Sequence, residues 1–318
     1  MTASPSPTLP TGLCLGGNVF GWTADETASF ALLDAFVDAG GRMIDTADSY
    51  MARAEGLSGG ESESVIGRWL ARRGRRDDVV IATKVGSWAE HKGLGPDNIR
   101  AACDDSLRRL QTDHIDLYYA HRDDPDTPQE DYLGAFDELV RAGKVRAIGA
   151  SNFDADRLAS ALELADKHDL ARFAAVQPHY NLVEHDYEGE QASLVGREGL
   201  VCYPYFGLAK GFLTGKYRPS GGEVDTGAAT GTMANARAEG ARSYLDERGV
   251  ALLGVLDEIA AAHRVPVAAV SLAWLAAQPT VAAPIASART LDQLAEILPA
   301  AQLTLSDAEL GALTRARD

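Results

Sequence analysis

The chain has 318 residues, 46% of them apolar, and a formal net charge of −16 at neutral pH. That length accommodates two ordinary domains or one (β/α)8 barrel, and the apolar share supports a large core. The acidic balance argues against nucleic acid and against an anionic membrane as partners, because both repel it.

The first ten residues are polar and proline-rich, with neither the basic start nor the apolar run of a signal peptide, and disorder is expected there. A short strand over 13–15 is followed by the loop Gly16-Gly17-Asn18-Val19-Phe20-Gly21-Trp22. Its glycines are not spaced as GxGxxG and no helix opens inside it, so it is a weak dinucleotide fingerprint. Asp25 is placed to cap a helix running to Ala39, with Phe30, Leu33 and Val37 on one face and Gly40-Gly41 as the stop.

From there the pattern alternates. Strands are expected at 42–45, 79–83, 115–119, 145–149, 174–177, 200–203 and 281–285, with helices at 61–72, 96–110, 128–142, 154–168 and 187–197 and a pair within 244–277. A helix at 291–298 and a tail helix from Ser306 follow. Short continuous apolar strands between amphipathic helices indicate parallel strands covered by helices. Eight such strands without a linker predict an α/β fold of a single domain over 1–318: one closed (β/α)8 TIM barrel, with extra helices before strand eight and at the C-terminus.

Two stretches depart from this rhythm: 220–241, and 251–263, which reads as an extra helix before the one at 267–277. Residues 220–241, rich in Gly, Ala and Thr, read as a mobile loop. Arg72, Arg73, Arg75 and Arg76 read as an exposed helix end. Cys14, Cys103 and Cys202 are far apart and form no CxxC, which fits reduced, buried thiols. The longest apolar stretch, 265–277, is too short to span a bilayer. These features predict a soluble cytoplasmic protein, and no histidine stands at metal-ligand spacing.

In such a barrel the active site lies at the C-terminal ends of the strands. Strand two supplies Asp45 and then Tyr50, strand three Lys84 and strand four His121. An aspartate closing a strand is more often a turn residue, and a loop tyrosine more often packing; the set gains meaning only together. A neighbouring ammonium lowers the pKa of a phenol, so Lys84 is expected to make Tyr50 a usable proton donor, with Asp45 keeping Lys84 charged. His121 can orient a substrate oxygen, and Tyr50 and His121 then cradle a developing alkoxide. This set has no electron source, so a hydride-donating cofactor is implied. Trp22, Met51 and Trp88 follow strand ends and are candidates for the substrate pocket. Asp123, Asp124 and Asp126 read as a solvated turn.

The later strand ends suit a nicotinamide nucleotide. Ser151, Asn152 and Gln177 offer polar groups for a carboxamide, and Tyr203 a flat face for its ring. The run Phe206, Gly207, Leu208, Ala209, Lys210 can bring backbone N–H groups near a pyrophosphate; Lys210 is either such a contact or a solvated side chain. Strand eight leads to Ser287 and Arg289, the latter just before a helix start, where a phosphate sits well.

The stretches Asp45-Thr46-Ala47-Asp48-Ser49-Tyr50, Glu61-Ser62-Glu63 before Ile66-Gly67, and Ile81-Ala82-Thr83-Lys84 follow one another in order. Then come Tyr118-Tyr119-Ala120-His121, Ile148-Gly149-Ala150-Ser151-Asn152, Gln177-Pro178-His179-Tyr180-Asn181, Gly211-Phe212-Leu213-Thr214-Gly215-Lys216 and Ala273-Trp274-Leu275. In these the chain resembles the aldo-keto reductases over nearly its whole length. The resemblance implies NADPH-dependent reduction of aldehydes or ketones, with NADH as the other possible donor, and a tetrad of Asp45, Tyr50, Lys84 and His121. It places nicotinamide contacts on Ser151, Asn152, Gln177 and Tyr203, 2′-phosphate contacts on Arg289 with Ser287, and an adenine-side contact on Gln293. Tyr203-Pro204-Tyr205-Phe206 stands where that family more often has Tyr-Ser-Pro-Leu, and Ile297 where asparagine is common. The same resemblance admits two other readings: a cofactor-sensing subunit like those of potassium channels, and an NAD(P)-dependent sugar dehydrogenase working in the oxidative direction. The sequence leaves the oligomeric state open.

Overall fold

A computed structural model describes residues 9–52, 54–218 and 238–317. Its strands are β1 (Cys14–Gly16), β2 (Met43–Asp45), β3 (Val80–Val85), β4 (Ile115–Ala120), β5 (Val145–Ser151), β6 (Phe173–Gln177), β7 (Val201–Cys202) and β8 (Ile285–Ala286). Between and after them lie α1 (Glu26–Asp38), α2 (Glu61–Arg73), α3 (Pro96–Leu110), α4 (Gln129–Arg141), α5 (Ala155–His168), α6 (Glu190–Arg197), α7 (Glu247–His263), α8 (Val267–Ala276), α9 (Leu291–Ile297) and α10 (Asp307–Arg317). The strands form one parallel sheet in the order β7-β6-β5-β4-β3-β2-β1-β8. Its two ends meet: Cys202 bridges Val281, and the Ile285 amide donates to the Pro204 carbonyl at 2.9 Å. The expected (β/α)8 TIM barrel is the fold, with α7 before β8 and α10 after it as the additional helices.

Four helices, α1, α5, α7 and α9, start on a side-chain cap. The Asp25 carboxylate accepts from the Ala28 amide at 2.8 Å, and Asp154 does the same for Arg157 at 2.8 Å. Strand residues facing outward join the large core under the helices, where Trp69, Phe36, Phe136 and Trp274 are fully buried. Those facing inward fill the barrel: Cys14, Met43, Ala82, Leu117, Tyr119, Ala147, Ala175 and Tyr203. Small and large residues alternate there for a reason. A Cβ on Gly149 of β5 would sit 2.4 Å from the Tyr119 ring, so only glycine lets that ring lie inside.

Several expectations shift. Strand eight is Ile285–Ala286, not 281–285. Pro284 has no N–H to give, and 281–284 instead runs along β7, with Ala282 donating to the Cys202 carbonyl at 2.9 Å. Residues 1–8 of the expected disordered start lie outside the described residues. Leu9 and Pro10 do not behave as expected, for Leu9 packs on the barrel interior and Pro10 accepts a hydrogen bond from Tyr203 at 2.8 Å. The expected loop 220–241 falls mostly outside the described residues; at its end Ala238 and Ala241 are buried. The arginine run is only half exposed. Arg73 is ion-paired with Asp78 and its side chain is 8% exposed, while Arg76 reaches under the barrel to buried Asp116. All three cysteines are buried and free. Among the described residues no single helix is long and apolar enough to cross a membrane.

Candidate active site

β2 ends on Asp45, and the chain then rises along β3. Thr46 donates to the Ala82 carbonyl at 2.8 Å, and the Gly17 amide donates to the Asp45 carbonyl at 2.7 Å. A Cβ on Gly17 would meet the Ser62 hydroxyl at 2.9 Å, so the Gly16-Gly17 pair lets three elements converge under this loop. The climb sets Tyr50 above Lys84. Lys84 is fully buried and donates to Asp45 Oδ2 at 2.7 Å, the Thr46 carbonyl at 2.6 Å and the Tyr50 hydroxyl at 2.6 Å. Tyr50 donates to the same Asp45 oxygen at 2.7 Å. The His121 ring lies edge-on to Tyr50 at 6.3 Å between centroids, and its Nδ1 is 3.3 Å from the Ser49 hydroxyl. The four residues that stood at or just after three separate strand ends in the sequence therefore share one site at the C-terminal mouth.

Their electrostatics differ from the expectation in one respect. Burial, followed by the charge and the hydrogen bond of Asp45, pushes the Tyr50 phenol well above its ordinary pKa. The expected acidification by Lys84 is outweighed because the hydroxyl of half-buried Tyr50 lies among buried groups and already donates to a carboxylate. Burial lowers Lys84, and Asp45 opposes that shift. Burial, with Lys84 and Arg122 nearby, holds His121 well below its usual pKa, so its imidazole is neutral at physiological pH.

Beneath the loop lie two carboxyls that sequence reading did not single out. Glu63 is fully buried and accepts from Thr83 at 2.5 Å and from Arg109 at 2.6 Å. Asp48 is fully buried too, and neither of its oxygens has a hydrogen-bond partner. Burial and the charge of Glu63, against the pull of Arg109, raise Asp48 to about 8. The sequence signal was two acidic residues in each of two neighbouring motifs, Asp45 with Asp48 and Glu61 with Glu63.

The opposite side of the mouth is a connected polar chain. Gln177 is 2% exposed, and its amide donates to Asp45 Oδ1 at 2.8 Å. The Ser151 hydroxyl donates to the Gln177 carbonyl at 2.8 Å. Asn152, with φ of 56°, donates to the His121 carbonyl at 2.8 Å and to Ser151 at 3.0 Å, and accepts from Tyr205 at 2.8 Å.

Tyr203 does not offer a ring to the mouth. It is fully buried inside the barrel, with its hydroxyl on Pro10 at the N-terminal end. The strand ends at Cys202, Pro204 follows Tyr203, and the next tyrosine, Tyr205, stands at the mouth instead. The Tyr205 ring stacks on His179 at 5.3 Å and 10°, and Phe206, 37% exposed, meets it edge-on at 5.2 Å. Counting back from Gly211-Phe212-Leu213-Thr214 would have found this register. Gly207 is buried against Leu272 and Leu275, Leu208 is half-buried, and Lys210 points its amine toward the Phe206 ring at 6.0 Å.

At β8 the Ser287 hydroxyl donates to Asn18 at 2.7 Å. The Gln293 side-chain oxygen accepts from the Arg289 amide at 2.9 Å, completing a reciprocal cap with Thr290 at the start of α9. Ile297 is buried, so it fills core where the resemblance has a polar residue. Trp22 and Met51 are half-buried. Trp88, by contrast, props the loop from below: it is 8% exposed, donates to the Ser58 carbonyl at 2.8 Å and carries Arg109 over its ring at 5.3 Å. Asp123 and Asp124 are not a solvated turn; Asp123 pairs with Arg157 at 2.6 Å and Asp124 accepts from the Leu94 amide at 2.7 Å.

Comparison with known proteins agrees with this geometry. The Aldo/keto reductase family model matches residues 12–318. Protein tas of Escherichia coli is 34% identical over 322 residues, covering 93% of this chain and 90% of that protein. The uncharacterized oxidoreductase YrpG of Bacillus subtilis is 35% identical over 302 residues, covering 92% and 88%. Norsolorinic acid reductase B of Aspergillus parasiticus is 32% identical over 324 residues, covering 96% and 80%. With a buried Asp–Lys–Tyr cluster at the mouth of a parallel barrel and a family match across nearly all its length, this chain belongs to the aldo/keto reductase family of oxidoreductases.

Proposed function

We propose that this protein reduces aldehydes or ketones to alcohols with NADPH, and that Tyr50 gives the proton. The observation that carries the reading is the contact of Lys84, Tyr50 and Asp45 at 2.6–2.7 Å beside the His121 ring. A nicotinamide nucleotide supplies the hydride. Neutral His121 hydrogen-bonds the carbonyl oxygen and aims it at Tyr50. As that oxygen gains charge, the Tyr50 proton moves to it, and the phenolate left behind is stabilised by the Lys84 ammonium. Asp45 keeps Lys84 charged in a site that would otherwise neutralise it. Reduction asks for a tyrosine that still holds its proton, and the upward shift of the Tyr50 phenol favours that.

The later strand ends fit the nucleotide. Tyr205, in place of Tyr203, supplies the flat face for the ring, and Ser151, Asn152 and Gln177 supply polar groups for the carboxamide. Phe206, Gly207, Leu208 and Lys210 border the pyrophosphate, and Arg289 with Ser287 and Gln293 borders the 2′-phosphate and adenine. Arg289 is the reason for NADPH over NADH. Trp22 and Met51 are placed to wall the substrate. Three buried, free thiols suit a reducing, cytoplasmic setting. One relative is named a norsolorinic acid reductase and another, from Pestalotiopsis microspora, an aryl-alcohol dehydrogenase, which directs the search to aromatic carbonyls.

The test is NADPH oxidation by the purified protein with a panel of aromatic aldehydes and ketones. Turnover that disappears in Tyr50→Phe is the expected result. Absence of turnover on every compound, or equal turnover by the variant, overturns the proposal.

A further inference from the structure

The Asp45 carboxylate is held from two sides. Oδ2 serves Lys84 at 2.7 Å and Tyr50 at 2.7 Å, while Oδ1 receives the Gln177 amide at 2.8 Å across the barrel mouth from β6. The carboxylate and two of its partners are sealed, with Asp45 1% exposed, Gln177 2% and Lys84 0%, while Tyr50 above them is half-buried. Gln177 is in turn fixed through its backbone, whose carbonyl accepts from Ser151 at 2.8 Å.

We propose that Gln177 is a positioning residue for the proton donor: by holding Oδ1 of Asp45 it orients and weakens that carboxylate, so that the Tyr50 proton can leave for the substrate. The proposal rests on the reductase reading given above and adds a role for Gln177 that is independent of any contact with the nucleotide.

The physical argument has two parts. A carboxylate with one free oxygen can turn about its last bond, and its two oxygens are then interchangeable. Turning Asp45 would carry its bonds to Lys84 and Tyr50 with it. A donor on Oδ1 removes that freedom. The second part concerns the proton. In this structure the Tyr50 hydroxyl points at Asp45, which competes with the substrate for the same hydrogen. A hydrogen bond to Oδ1 draws charge from the carboxylate, and a weaker acceptor releases the hydroxyl more readily. No other side-chain donor to Oδ1 is found among the described residues.

Gln177→Met keeps the side-chain length and removes the donor. Gln177→Glu keeps the shape and sets a second carboxyl against Asp45, and serves if the first variant does not fold. With saturating NADPH and one good aldehyde, kcat is expected to fall by at least about tenfold in Gln177→Met and further in Gln177→Glu, with the aldehyde KM nearly unchanged. The distinguishing measurement is a pair of isotope effects on kcat. Removing the donor makes proton transfer harder, so the solvent deuterium effect should rise while the effect of deuterated cofactor does not. The opposite pattern, or a solvent effect equal to that of the wild type, overturns the proposal and leaves Gln177 with the nucleotide alone. If the wild-type protein itself turns over no carbonyl, the reductase reading fails separately. Crystal structures then decide the positioning role: an Asp45 carboxylate turned by about 30° or more in Gln177→Met supports it, and an unmoved one overturns it.

Discussion

The two halves of the barrel mouth are built differently. On the side of β2, β3 and β4 the charged groups of the tetrad are buried and matched: Lys84 alone makes three hydrogen bonds, and Asp48 below them is the buried carboxyl left unmatched. On the side of β5 and β7, the backbone takes conformations that side chains avoid: Asn152 at φ 56°, Phe206 at 54°, Ala209 at 46° and Lys210 at 58°. Elsewhere Gln111, Asp169 and Arg264 have such angles as helix C-caps, and Met51 at 59° is the single non-glycine instance on the β2 side among the described residues. The contrast teaches how one site serves two tasks. On the function proposed above, a small carbonyl would be served by the fixed groups, and a long, polar nucleotide by a border that can present backbone and aromatic edges.

If the halves are separable, Tyr50→Phe should lower kcat/KM by about a thousandfold and leave NADPH affinity, read by fluorescence titration, unchanged. Loss of both would break the comparison. Lys84→Met tests the rigid half for stability. It leaves Asp45 buried without its partner and should cost about 3–5 kcal/mol in denaturant unfolding. Asp48 tests the same half through pH. Its folded pKa is raised to about 8 from an ordinary carboxylate value, so the folded state holds the extra proton. The stability this gives is complete at acid pH and is lost as pH rises to about 8. Asp48→Asn should therefore gain on the wild type by about 1.4 kcal/mol per pH unit across that window and level off above it. On the open half, Arg289→Ala should weaken NADPH by about tenfold and NADH little, in parallel titrations. The smallest effect separates the two tyrosines. Tyr203→Phe should cost about 1 kcal/mol of stability and nothing in cofactor binding, whereas Tyr205→Ala should do the reverse.

The rigid half was the legible one. Asp45, Lys84 and His121 each close an apolar run, and strand ends of parallel barrels converge, so their meeting follows from topology. The acidity of Tyr50 did not follow, because its sign depends on whether the hydroxyl faces Asp45 or only Lys84, which spacing does not specify. The open half resisted reading where local chemistry overrode pattern. Pro204 ended β7 early and passed the exposed position to Tyr205. Pro284 likewise shifted β8 toward Ser287. Trp88 was misplaced because a loop residue after a strand end can point either way, and here Ser58 and Arg109 claim it. Gln177 was expected over a carboxamide; its bond to Asp45 crosses 132 positions of chain and leaves no trace in sequence spacing.

The hydrogen bond from Tyr203 to Pro10 has a practical side. The floor of the barrel is stoppered by Leu9 and Pro10. A clone trimmed to begin at Gly12, or an affinity tag grafted directly onto Leu9, would pull that cork and let water reach the tyrosine hydroxyl from below. Expression designs are therefore safer when the handle is carried at the other terminus.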